Sequence, residues 1–231
     1  MALPDKIRSL RDRVMADFNA VHDYYTDTKT AWSIVGEAIV AGRTFTIRNA
    51  VTGTETTQIS LVSKSSGYVA KELAEATFQQ FISIFESCVF DLLHLWLMAY
   101  PQNLISKKVD YKVILDAPDK DAITTHVVSR EVNEITYERP SSWFSYLEDK
   151  AKLGCPTVDE IEMIAEAKAT RDVLVHNRAV ANRIYELKAG KFARYKDGQP
   201  IDIPDPYHHL IWELLRKVVD DVSNAAIIEF P

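Results

Sequence analysis

Three residues in one short stretch carry the chemistry this chain is equipped to do. Ala165–Asn182 reads AEAKATRDVLVHNRAVAN, and within it Arg171, Asp172 and His176 form the string R-D-V-L-V-H. An imidazole exchanges protons near neutral pH, and a guanidinium keeps its charge throughout. On a helix, Asp172 and His176 are four residues apart and share one face. Asp172 is therefore expected to orient the imidazole or to favour its charged form. Arg171 lies five residues before His176, about 140° away on an ideal helix. It falls in line with Ile164, Ala167 and Leu174, where a guanidinium needs an anion. Glu86 or Asp91, on an earlier helix, is the expected supporting carboxylate, and a phosphate is the alternative.

Arginine plus histidine without a metal suits phosphodiester transfer in RNA. The histidine takes the proton of a 2′-OH or gives one to the leaving oxygen. The arginine stabilises charge on phosphorus. One histidine cannot easily serve as base and acid in a single step. Two copies of the helix meeting across a two-fold axis would supply both, so a homodimer is expected. This chemistry calls for no metal and no cofactor. Elsewhere, His208-His209 near Asp205 reads as a surface or cap feature, and His22, His94 and His126 lack ligand spacing. The chain has no Gly-rich phosphate loop and no nucleophile elbow.

The charge pattern points to the same stretch. The net charge of −6 argues against non-specific nucleic-acid binding. Yet the window Lys168–Lys196 holds eight basic residues against Asp172 and Glu186, so it carries +6 and leaves −12 on the rest. A basic window on an acidic body is what a local phosphate-binding surface needs. A solvated helix face is the plainer reading. Asn177, Arg178 and Arg183, just past the histidine, are the candidate RNA contacts.

The elements that must position these residues are mostly helical. Residues 5–41 carry Ile7, Leu10, Val14, Phe18, Val21, Tyr25, Trp32, Val35 and Ile39 in a helical stripe near period 3.5, with Thr26-Asp27-Thr28 as the one place where it could divide into two helices. Residues 43–63, rich in β-branched side chains around Gly53, predict a small β-hairpin. Residues 68–100 predict a largely apolar helix on which Ser83, Ser87, Asp91 and His94 share one face, with Glu86 beside them. Residues 106–152 are ambiguous: Val109–Leu115 fits a strand or a helix, Ala122–Ile135 has no clear period, and Ser142–Lys152 reads as a short helix closed by Gly154. Thr157 and Glu160 form a capping-box pattern ahead of a helix spanning 157–178. A short helix over 179–189, a loop to Pro206 and a final helix follow, with Leu210, Ile211, Leu214, Val218, Val222 and Ala225 toward the core.

With 231 residues, 47% of them apolar, one domain can bury a substantial core. Cys88 and Cys155 read as reduced thiols. Phe81–Tyr100 is long and apolar, but Glu86, Asp91 and His94 interrupt it, so a buried helix is expected rather than a membrane span. The first residues show no apolar signal-peptide region, and the expectation is a cytoplasmic protein.

The string R-D-V-L-V-H, its flanks ATRDVLVHNRAVANRIY, and the aromatic-rich helix FQQFISIFESCVFDLL resemble the HEPN superfamily and its R-polar-x-x-x-H motif. These all-helical domains occur in many prokaryotic ribonucleases, toxins and phage-defence proteins. The resemblance covers roughly residues 70–228, leaving the N-terminal helix and hairpin as an extension. It implies a mainly α, HEPN-like bundle that dimerises, with Arg171 binding phosphate, His176 as base or acid, and Asp172 supporting both. It further implies metal-independent cleavage of RNA; a partner protein or antitoxin is a further expected partner. One subgroup carries a tyrosine two residues after the histidine, and Arg178 holds that place here. The alternative expectation is a non-catalytic module that binds RNA, a nucleotide or a partner protein. A third is a plain interaction domain with Arg171 as an interior ion-pair residue.

Overall fold

The computed structural model describes residues 2–230, and the chain is mainly helical. Helix α1 spans Leu3–Val40 without interruption. The helix expected over residues 5–41 forms, and it does not divide at Thr26–Thr28. The Thr26 and Thr30 hydroxyls instead donate back to the carbonyls of His22 and Thr26 and are accommodated within the helix. Ile7, Leu10, Val14, Phe18 and Tyr25 are buried, whereas the last third of the stripe, from Trp32 to Ile39, is only partly covered.

The predicted hairpin is not formed. Between α1 and the next helix there is one isolated bridge, Arg48 to Glu55, closed by a turn in which the Asn49 side chain accepts from the backbone N–H groups of Val51 and Thr52. The intended second strand is helical: α2 runs Gln58–Gly67, and the Thr57 side chain caps it by accepting from Ser60. A strand would place Ile59 and Leu61 on the same face. The helix separates them, with Leu61 3% exposed and Ile59 85% exposed. Gln58 also pins the returning chain by donating to and accepting from the backbone of Phe45.

A π-helical turn, Tyr68–Leu73, joins α2 to α3, Ala74–Ala99. The whole run Gln58–Ala99 is long and apolar enough to cross a membrane by length and composition, and half of its most apolar window is buried inside the molecule. Phe78, Phe81, Ile82, Phe85, Val89, Leu93 and Leu97 of α3 pack with α1 and the final helix into one core. Phe18 and Phe81 sit with ring centroids 6.1 Å apart in it. Each such side chain contributes about 1.5–3 kcal/mol when fully buried.

The ambiguous middle of the chain is helical. Tyr111–Asp116 is the short α4, capped by Asp110. Lys120–Thr136 is α5, capped by Asp119, with Val127, Val128, Glu131 and Ile135 on its buried side. Pro140–Ala151 is α6, closed by Lys152 in the left-handed region. Trp143 of α6 is fully buried and donates its indole N–H to the Ile135 carbonyl at 2.9 Å, which ties α6 to α5.

Helix α7, Val158–His176, opens with the capping box expected from Thr157 and Glu160. It ends two residues earlier than predicted. Asn177 is its C-cap, and Arg178 and Ala179 both have positive φ, which no helix continues through. Helix α8 is therefore Arg183–Ala189, shorter than the predicted 179–189 and capped by Asn182. Helix α9, Asp205–Glu229, buries Ile211, Leu214, Val218 and Val222 as expected. Leu210 turns outward at 45% exposure, and His208, expected at the surface, is 1% exposed.

Candidate functional site

The site is built where α7 crosses α3 and turns into α8. Ile164 and Ala167 anchor α7 in the main core, while Ala169 and Val173 pack with Ala181, Tyr185, Ala189 and Ile201 in a smaller cluster beneath α8. Between these two apolar anchors, α7 presents Lys168, Arg171 and Asp172.

Glu86 is the anion Arg171 requires. Its carboxylate accepts from Arg171 Nη2 at 2.5 Å and also from Lys168 Nζ. The three side chains are 17–19% exposed, at the edge of the bundle and not deep within it. Asp91, the other carboxylate expected to support Arg171, does not reach it. One helical turn and more along α3, it faces α1 and pairs with Arg13 at 2.9 Å, in solvent. Glu86 and Asp91, five positions apart and about 140° around α3, thus meet two different helices.

Asp172 also departs from its expected role. Its carboxylate accepts from Lys188 of α8 at 3.0 Å and lies 3.4 Å from Arg171 Nη1. Among the described residues no hydrogen bond joins it to His176, although both lie on α7 four positions apart. The stronger charge pairing draws Asp172 sideways to α8. His176 is the last residue of α7 and is exposed to solvent. Arg171 and His176 therefore remain apart within one chain.

The three candidate RNA contacts fall into two groups. Asn177 closes the turn after α7, its side-chain amide donating to the Val180 carbonyl. It is a structural link in this chain. Arg178 and Arg183 are exposed on either side of that turn. Arg178 is held out by its left-handed backbone, φ +53°.

Two shallow clefts open beside these residues, each of about 220 Å³. One is lined by His176, Asn177, Asn182 and Ile184. The other runs between the α5–α6 corner and α7, and is lined by Tyr137, Arg139 and Lys168. Ala169, Asp172 and Lys188 form a wall common to both.

Sequence reasoning missed the residue that holds this region together. Glu166, 3% exposed, accepts hydrogen bonds from Thr170 Oγ1, Tyr185 OH, Tyr207 OH and Arg194 Nε. One carboxylate thereby joins α7, α8, the loop before α9 and α9 itself. Burial and the neighbouring Glu166 charge push the Tyr185 hydroxyl up to about 12 and Tyr207 well above its ordinary value. The Arg194 guanidinium lies 3.3 Å from the Tyr207 ring centroid. The signal was present: Glu166 is in helical phase with the buried Ala169, Thr170 and Val173, so a charge had to lie on a covered face.

Among the described residues, no group of three His, Cys, Asp or Glu side chains is arranged to hold a metal ion. No family model, no curated protein and no solved structure matches this chain.

Proposed function

We propose that this chain is a metal-independent endoribonuclease that acts as a homodimer. The observation that carries the reading is the arrangement on α7. Arg171 and Lys168 stand over a single anion, Glu86, and an exposed His176 ends the same helix beside Arg178. The string R-D-V-L-V-H and its resemblance to the HEPN motif agree with this assignment. In the reaction, the 2′-oxygen bonds to phosphorus and the bond from phosphorus to the 5′-oxygen breaks. One His176 accepts the 2′-OH proton, and His176 of a second copy donates a proton to the departing 5′-oxygen. The products are a 2′,3′-cyclic phosphate and a 5′-OH end. The cations of Arg171 and Arg178 balance the charge that develops on the phosphoryl oxygens.

Exposed apolar side chains around His176 support a self-association surface. Val175, Val180, Ile184 and Leu187 are 37–67% exposed at this end of α7 and on α8. A toxin or phage-defence role inside the cytoplasm follows from the same resemblance, with a partner protein or antitoxin as a further partner. The test is incubation of the purified protein with single-stranded RNA in EDTA. Fragments ending in 2′,3′-cyclic phosphate are expected, and intact RNA of every sequence tried would reject the proposal.

A second reading has its own observation. Arg171 is already paired with Glu86 and Asp172, and Asp172 is directed to Lys188. That pairing favours a non-catalytic module binding RNA, a nucleotide or a partner protein through Arg178 and Arg183. It predicts salt-sensitive binding without turnover.

A further inference from the structure

The cleft between the α5–α6 corner and α7 has features that the reaction at His176 does not use. Tyr137, the C-cap of α5, is 85% exposed, the most exposed of the large aromatic side chains. Its ring is left largely to solvent. Two residues on, Arg139 is the N-cap of α6, is exposed, and lines the same cleft. Across the cleft, the Lys188 ammonium side chain is 40% exposed above Asp172. The acidic groups facing this space are Glu138 and Asp172, and Asp172 lies 3.4 Å from the Arg171 guanidinium as well as 3.0 Å from Lys188, so Lys188 is not its sole counter-ion.

We propose that this cleft is a nucleotide subsite for single-stranded RNA: the base stacks on Tyr137, and an adjoining phosphate is held between Arg139 and Lys188. This rests on the reading of the protein as one that engages RNA at His176. Three observations favour this occupant. The cleft of about 220 Å³ is smaller than the roughly 300–1,000 Å³ of pockets that enclose drug-sized ligands, which suits one flat ring. A solvated aromatic beside cations is the combination that binds unpaired bases, because every base has a π face. The wall formed by Ala169, Asp172 and Lys188 is common to the cleft at His176, so one strand can pass from Tyr137 to the histidine without leaving the surface. A duplex keeps its bases stacked on one another and cannot offer one to Tyr137.

The test uses the full chain carrying His176→Ala, so that RNA is bound but not cut. Binding of a fluorescein-labelled 12-nucleotide single-stranded RNA is followed by anisotropy over a salt series. Tyr137→Ala is expected to weaken binding between about fivefold and a hundredfold, and Tyr137→Phe to restore it. Arg139→Ala is expected to reduce the slope of log affinity against log salt by about 0.7. RNA containing 4-thiouridine should cross-link on irradiation to the peptide holding Tyr137. If the His176→Ala protein binds RNA and both cleft variants bind as it does, the subsite is wrong and the proposed function stands. If neither it nor the wild type binds RNA, both fall. Equal binding of a blunt duplex would overturn base stacking in this cleft. Both side chains are exposed, so circular dichroism melts of the variants should overlay the parent's.

Discussion

Glu86 Oε2 of α3 lies 2.5 Å from Arg171 Nη2 of α7. This contact joins the two helices that flank the candidate site, and the same carboxylate also holds Lys168. One anion therefore fixes two cations. The Arg171 Nε, buried as well, has no hydrogen-bond partner. One guanidinium N–H donor is thus left unsatisfied inside the bundle, a cost that the pairing with Glu86 must offset.

Removing Glu86 should cost stability out of proportion to its size. In Glu86→Ala, Arg171 and Lys168 remain at the bundle edge without their anion, and a loss of about 1–3 kcal/mol is expected. A double-mutant cycle with Arg171→Met in urea should return a coupling energy of about 0.5–3 kcal/mol. Additive effects would show that the contact is not formed in solution.

His176 should behave in the opposite way. It is exposed at the end of α7, so His176→Ala should leave the melting curve within about 0.5 kcal/mol of wild type. Cleavage of RNA in EDTA should fall by about 10²–10⁴-fold. Mixed dimers of His176→Ala and Arg171→Ala subunits distinguish a composite site from two independent ones. Partial activity from two inactive partners is the expected result.

Glu166 should be the most sensitive position in the region. Glu166→Ala removes the acceptor from Tyr185, Tyr207 and Arg194 at once, two of them buried hydroxyls and the third a partly buried guanidinium. Leaving buried donors without their acceptor costs about 1–3 kcal/mol each. Hydrogen exchange should quicken first in residues 190–205, which Glu166 ties to α7. Retention of wild-type protection there would contradict the role assigned to it.

Acid should destabilise the α1–α9 contact through His208. Burial, and then the nearby His22 charge, lower its pKa to about 4. The ring stacks on Tyr25 at 3.9 Å, and its Nε2 meets Thr77 Oγ1 at 2.8 Å. With the folded value below the ordinary one of about 6.5, the unfolded chain binds the proton first. The stability is complete above about pH 6.5 and is lost as pH falls toward about 4, amounting to about 3 kcal/mol at most. Asp205, held below its ordinary value by Lys29 and Tyr25, loses its contribution only at lower pH still. Urea titrations between pH 7 and pH 4 should show the decline, and His208→Gln should flatten it.

The helices were legible where the pattern was periodic and capped. The N-terminal stripe, the apolar helix over 74–99 and the Thr157–Glu160 capping box each depend on neighbours a few residues away, and local geometry fixes such contacts. The segment 43–63 misled because β-branched side chains report a preference near 1 kcal/mol, which a capped helix turn with one buried leucine outweighs. Over 106–152 the buried positions of α5 cluster within half its length, so no period emerged.

For the site, the sequence by itself determined that Arg171 needed an anion, that the basic window was local, and that Asp172 and His176 shared a helical face. Tertiary structure alone decided which anion, since Glu86 and Asp91 lie on one helix but face α7 and α1 respectively. It also decided that Asp172 pairs with Lys188, that Glu166 gathers four donors, and that Tyr137 stands beside the wall leading to His176. The physical reason is range. Helical phase relates residues one or two turns apart, whereas an ion pair between α3 and α7 depends on how two helices cross, which the packing of the whole core sets.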